Sequence, residues 1–62
     1  MYEKYAALRD QKKLNDYQVA AQTGIAPQTL SAWKNGLYNP KLDKLKTLAD
    51  FFGVSIDELI GD

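Results

Sequence analysis

The sequence predicts an all-α fold, a single domain of five short helices spanning residues 1–62, and three observations carry that prediction. Leu45, Leu48, Ala49 and Phe52 recur at i, i+3, i+4 and i+7, the spacing that lines one face of a helix. Residues 17–36, YQVAAQTGIAPQTLSAWKNG, hold two short helical segments divided by Gly24 and closed by Gly36. Asn15 with Gln18, and Ser55 with Glu58, show the spacing at which a capping side chain and the residue three places on satisfy each other's backbone amides.

Taken in order, the first helix is expected from Tyr2 to about Lys12, with Tyr5 and Leu8 turned inward and charges elsewhere. Leu14 anchors the connection that follows, and Asn15 caps the second helix, whose small apolar inner face is Val19 and Ala20. Gly24 permits the left-handed backbone needed to leave that helix, and Ile25 plugs the corner. Pro27 suits the first position of the third helix, where its missing N–H would have no partner anyway. The result is two short helices held at a fixed angle by a tight turn, a helix-turn-helix pattern. Between Leu37 and Lys41 the Asn39–Pro40 pair blocks helix just before it restarts. The fourth helix is expected over Leu42 to Phe52, ended by Gly53, and the fifth begins at Ser55 with Val54, Leu59 and Ile60 adding to the core.

A chain of 62 residues buries only about 60% of its unfolded surface, so its margin of stability is thin. It contains no cysteine and no histidine, which removes disulfides, thiolate chemistry and the commonest zinc ligands. Its carboxylates are scattered over helix starts and ends, with no nucleophile beside a base, so an enzyme is set aside and no cofactor or metal is expected. No run approaches the roughly 18 apolar residues of a membrane span, and the N-terminus lacks the order of a signal peptide. A cytoplasmic protein is the default expectation, with a domain excised from a longer chain as the alternative.

The formal net charge of zero argues against an indiscriminate nucleic-acid binder, yet the charge is polarised. Residues 1–46 hold all 8 Lys and Arg against Glu3, Asp10, Asp16 and Asp43, while residues 47–62 hold only Asp50, Asp57, Glu58 and Asp62. The positive part contains the helix-turn-helix pattern. On its third helix, Leu30 and Trp33 share one side, and Gln28, Ser31, Ala32 and Asn35 fall opposite. That uncharged row of amide, hydroxyl and methyl groups fits a reader of base edges. It fits a neutral helix facing solvent or a partner protein as well.

Several pieces, in this order and spacing, resemble the Cro and lambda-repressor type helix-turn-helix family, also called XRE. They are Leu8–Arg9, LNDYQVA at 14–20, GIAPQTLSAWKNG at 24–36, Asn39–Pro40 and the ending LADFFGVSIDELI. The resemblance runs from Leu8 to Ile60 and implies a five-helix lambda-repressor-like domain that binds double-stranded DNA, with helices two and three as the binding pair. Carried over position by position, it implies base contacts at Pro27, Gln28, Thr29, Ser31 and Ala32, Gln28 having the hydrogen-bonding reach. Pro27 donates nothing to a base; it sets how the helix starts, with a methyl contact open to it. Trp33 sits where the family places an apolar residue packed between helices.

The same resemblance implies contacts to the sugar-phosphate backbone from Asp16, Tyr17, Lys34, Asn35, Tyr38, Asn39, Lys41 and Lys44. Two of these depart from the pattern. Asp16 stands where a side chain commonly helps hold a phosphate, and a carboxylate repels one. Lys34 replaces the Glu that members often carry to pair with the first-helix arginine, here Arg9, so Arg9 either turns to Asp10 or another acid or faces outward. In relatives the C-terminal helix often forms a two-fold contact, which makes Phe51, Ile56 and Ile60 candidates for a homodimer surface; a purely intramolecular role is the alternative. The function expected is a transcriptional regulator of the phage-repressor kind on a pseudo-palindromic operator. The rival from another class is a helix-turn-helix module that binds protein, as an antirepressor or antitoxin-like partner does.

Overall fold

Helix boundaries in the structure, a computed structural model that describes residues 2–61, fall close to where the capping residues put them. The order is α1 Tyr2–Gln11, α2 Asp16–Thr23, α3 Pro27–Lys34, α4 Leu42–Phe52 and α5 Ile56–Ile60. Among the described residues there is no strand, and no helix is long and apolar enough to cross a membrane.

The second helix starts on a complete capping box: the Gln18 N–H donates to Asn15 Oδ1 at 2.8 Å, and the Asn15 N–H donates to Gln18 Oε1 at 2.9 Å. It ends at Gly24, whose φ of 78° is left-handed and whose N–H returns to the Ala20 carbonyl at 2.9 Å. Thr23 fixes the corner beyond it. Its hydroxyl donates to the Val19 carbonyl at 2.8 Å and accepts the Ile25 N–H at 3.4 Å, while the Ile25 side chain is buried. Pro27 opens α3 as expected, but that helix stops at Lys34, with Asn35 and Gly36 already in the turn. At α5 the Ser55 hydroxyl accepts the Glu58 N–H at 3.1 Å, and its own proton points to Glu58 Oε1 at 3.4 Å.

The first helix ends at Gln11 rather than about Lys12, and the cause is local. Lys13 adopts a left-handed conformation with φ 57°; its N–H returns to the Asp10 carbonyl at 2.9 Å and the Leu14 N–H returns to Arg9 at 3.2 Å. This is the closing geometry that glycine usually serves. Here a lysine occupies it.

Each helix sends one side chain to the centre: Tyr5, Val19, Leu30, Leu48 and Leu59 are fully buried. Around them sit Ala20, Ile25, Trp33, Ala49 and Phe52, with Leu8, Leu14, Leu45 and Val54 packed against the cluster while partly exposed. An aromatic row crosses this core. Trp33 lies 5.2 Å from the Tyr5 ring and 5.5 Å, edge-on, from Tyr2, and Tyr5 meets Phe52 at 5.9 Å. In the resulting packing α1 and α4 both lie on α5, and α2 lies on α3 and α4. The outer face of α3 is left uncovered.

A non-glycine residue in the left-handed region costs about 1–2 kcal/mol, against which glycine gives up about 0.5–1 kcal/mol through its freer unfolded chain. Lys13→Gly is therefore expected to raise stability by about 0.5–1 kcal/mol, read as a higher midpoint in thermal or urea unfolding. A lower midpoint would show that the Lys13 side chain contributes more than its backbone costs.

Candidate nucleic-acid interface

The segments expected at a DNA strand are the start of α2, the outer face of α3 and the loop from Leu37 to Lys41. On α3, burial of Leu30 and Trp33 fixes the rotation of the helix and turns the opposite row outward. Pro27, Gln28, Ser31 and Asn35 are exposed, whereas Ala32 and Thr29 are half-buried at its borders. The row thus offers an amide, a hydroxyl and a methyl at successive turns, with no charge among them. Such groups can pair with adenine, serve several bases, and touch a thymine methyl.

Cations follow this row along the chain. Lys34 is exposed in the last turn of α3, Lys41 is exposed at the start of α4, and Lys44 lies half-buried one turn further on. Among the described residues none of the three forms an ion pair, so their ammonium groups are available to an outside anion. Asn39 is exposed in the connecting loop, Tyr38 is half-buried there, and Tyr17 in the first turn of α2 is 73% exposed. Leu37 and Leu42, at 82% and 68% exposure, are the apolar groups this loop leaves in solvent.

Asp16 goes elsewhere. Its carboxylate turns to α1 and accepts hydrogen bonds from Arg9 Nη1 at 2.7 Å, from the Tyr5 hydroxyl at 2.7 Å and from the Tyr2 hydroxyl at 2.8 Å. Arg9 also donates to the Tyr2 hydroxyl at 2.9 Å and reaches Asp10 with Nε at 3.1 Å and Nη2 at 2.9 Å. The Asp16 side chain, expected at a DNA strand, is thus held against α1 by Tyr2, Tyr5 and Arg9, and Arg9 pairs with both Asp16 and the exposed Asp10. Partial burial pushes the Asp16 carboxyl up, but the bonds from Arg9, Tyr5 and Tyr2 outweigh it and hold the group below its usual range. Burial, then the bond to Asp16, pushes the Tyr5 phenol well above its ordinary value. Tyr2 and Tyr5 were missed as polar partners from sequence; with Arg9 they fall at i, i+3 and i+7 on one face of α1, which was the available signal.

The C-terminal candidates are placed less decisively. Phe51 and Ile56 pack against the core while partly exposed, and Phe51 stacks edge-on against Phe52 at 5.0 Å. Ile60 is half-buried.

A carboxyl whose folded pKa is depressed contributes stability that is complete above the unfolded value near about 3.9 and is lost as pH falls through the lower folded one. Asp16→Asn is expected to lower stability at neutral pH by about 1.5 kcal/mol, the low end for bonds to a charged group because 26% of its side chain stays in solvent. It should also flatten the acid side of the stability curve below about pH 4. Urea unfolding from pH 7 to pH 2.5 measures both; parallel curves for the two proteins would remove Asp16 from the acid response.

Comparison with known proteins adds independent findings. A helix-turn-helix family model matches residues 6–59. Among curated proteins, the chain is 40% identical over 55 residues to the cryptic phage CTXphi transcriptional repressor RstR of Vibrio cholerae, covering 89% of this chain and 50% of that protein. It is 38% identical over 58 residues to the transcriptional activator BcrR of Enterococcus faecalis, covering 94% of this chain and 28% of that one. It is 34% identical over 59 residues to the transcriptional regulator AnsR of Bacillus subtilis, covering 95% and 51%. The chain thus spans about half the length, or less, of these relatives. No solved structure is a significant match. With the matched segment covering nearly all of the five helices, the chain belongs to the Cro and lambda-repressor type (XRE) helix-turn-helix family.

Proposed function

We propose that this chain binds double-stranded DNA sequence-specifically, as the reading domain of a transcriptional regulator of the repressor kind. The observation that carries the reading is the uncharged outer face of α3, with Gln28 and Ser31 exposed and Ala32 half-buried, continued by exposed Asn35 in the turn and followed along the chain by lysines with no ion pair among the described residues. In this reading α3 lies in the major groove, with Pro27, Gln28, Thr29, Ser31 and Ala32 at base edges. Tyr17, Lys34, Asn35, Tyr38, Asn39, Lys41 and Lys44 meet the backbone and set register without reading sequence. Its work is then in the bacterial cytoplasm, where such a duplex is met.

Two copies, joined through Phe51, Ile56 and Ile60, would set their reading helices about 34 Å apart on a two-fold symmetric operator. The choice of repression follows the phage relative, which is named a repressor; the Enterococcus relative is named an activator. The rival reading, a protein-binding module, is favoured by the net charge of zero, by Asp16 and by Lys34. Asp16 pairs with Arg9 within the chain, which removes the objection from that residue, and Lys34 stands exposed at the end of α3, open to a phosphate.

In vitro selection from a random duplex pool, followed by anisotropy titration of the winner, tests the reading. Enrichment of a symmetric site with half-sites one helical turn apart is expected, and no enrichment at low salt from a folded sample would overturn it. On the selected duplex, Gln28→Ala should cost about 1–3 kcal/mol and relax preference at one base pair; an equal loss on all sequences would take Gln28 off the base edges. Lys41→Ala should weaken binding to every sequence alike and reduce the slope of log affinity against log salt by about one, and an unchanged slope would remove Lys41 from the phosphate contacts.

A further inference from the structure

Lys4, Ala7, Leu8 and Gln11 recur at i, i+3, i+4 and i+7 on α1, a stripe to which the DNA-binding reading gives no part. The stripe forms one wall of a groove of about 450 Å³, within the usual size of small-molecule sites, and Asp57, Glu58 and Gly61 of α5 form the other. Ala7 and the half-buried Leu8 are its apolar part, while Lys4, Asp57 and Glu58 stand exposed. Gly61 lies against the Lys4 stem, so close that a β-carbon there would stand 3.4 Å from Lys4 Cβ and Cγ. Among the described residues Lys4 forms no ion pair with either acid, so an ammonium and two carboxylates line one groove unpaired. Glu58 takes the Ser55 hydroxyl proton at 3.4 Å, which leaves Asp57 as the acid more open to a ligand.

An anion drawn to Lys4 meets two carboxylates there, and a cation drawn to the acids meets an ammonium, whereas a molecule that carries both charges finds a partner for each. We propose that the α1–α5 groove binds a small zwitterion with an aliphatic side chain, a free amino acid or a short peptide. Its carboxylate lies at Lys4, its ammonium at Asp57 and its side chain over Ala7 and Leu8. The Gln11 amide both donates and accepts, and so serves the amide of a peptide. The site is independent of DNA binding. Because the ligand bridges α1 and α5, it binds the folded chain and not the unfolded one, and its presence raises stability.

The test follows amide shifts of the ¹⁵N-labelled chain during titration with leucine, with dileucine and with N-acetyl-leucinamide, which keeps the side chain but carries no charge. Saturable shifts at Ala7, Leu8, Asp57 and Gly61 are expected with leucine or dileucine, the tighter of the two identifying the source, and none with the neutral compound. The bound ligand should also raise the midpoint of thermal unfolding. Lys4→Met, at an exposed position outside the core, should raise Kd by about two- to fivefold, the size expected for losing one exposed ion pair, and Lys4→Arg should keep the original Kd. The site is overturned by no saturable shift up to the solubility of either ligand, by an equal response to the neutral compound, or by an unchanged Kd in folded Lys4→Met. Movement of the same amides on dilution of the chain alone would overturn it too, since a second copy would then occupy the groove.

Discussion

The Asp16 carboxylate, in the first turn of α2, takes hydrogen bonds from Tyr2, Tyr5 and Arg9, and so ties the helix-turn-helix unit to two turns of α1. The rings of those same tyrosines pack against Trp33 on α3. Three helices are therefore fixed to one another by one acid, one guanidinium and three aromatic rings. Since Trp33 and Leu30 set the rotation of α3 about its axis, the same cluster decides which of its residues face outward. A hydrogen-bonded, partly sheltered carboxylate holds geometry in this way because every donor it loses leaves a polar group without a partner. Its place at a helix start adds a favourable interaction with the dipole.

This arrangement also redistributes charge. The family resemblance puts an acid on the third helix as the usual partner of the first-helix arginine, and here that position is Lys34. The acid that holds Arg9 is Asp16, one helix earlier. With Arg9 held by Asp16, the end of α3 carries an exposed cation, Lys34, in place of an acid. The chain has no net charge, and half of its eight acids, Asp50, Asp57, Glu58 and Asp62, fall in residues 47–62, which hold no cation.

Much of the fold was legible because its signals are local. Asn15 with Gln18, Pro27, Gly24 and Gly53 each mark a helix boundary through their own backbone chemistry, and the Leu45–Phe52 stripe needs only the helical period. Lys13 was not legible, since nothing in a lysine side chain announces a left-handed backbone; only the packing of Leu14 against the core demands the turn there. The outward row of α3 could be counted from 3.6 residues per turn. The direction of Asp16 could not, because it depends on the angle between α1 and α2, which no single segment encodes.

The outer face of α3, oriented by Leu30 and Trp33 and tied to α1 through the Asp16 cluster, is the surface proposed to meet DNA. Titrating the ¹⁵N-labelled chain with its selected duplex and following amide shifts residue by residue tests it most directly. The largest changes are expected at Gln28, Ser31, Ala32 and Asn35, with smaller ones at Tyr17 and Lys41, and little at Lys4, Asp57 or Glu58 in the α1–α5 groove. Changes centred on that groove, with α3 unmoved, would contradict it.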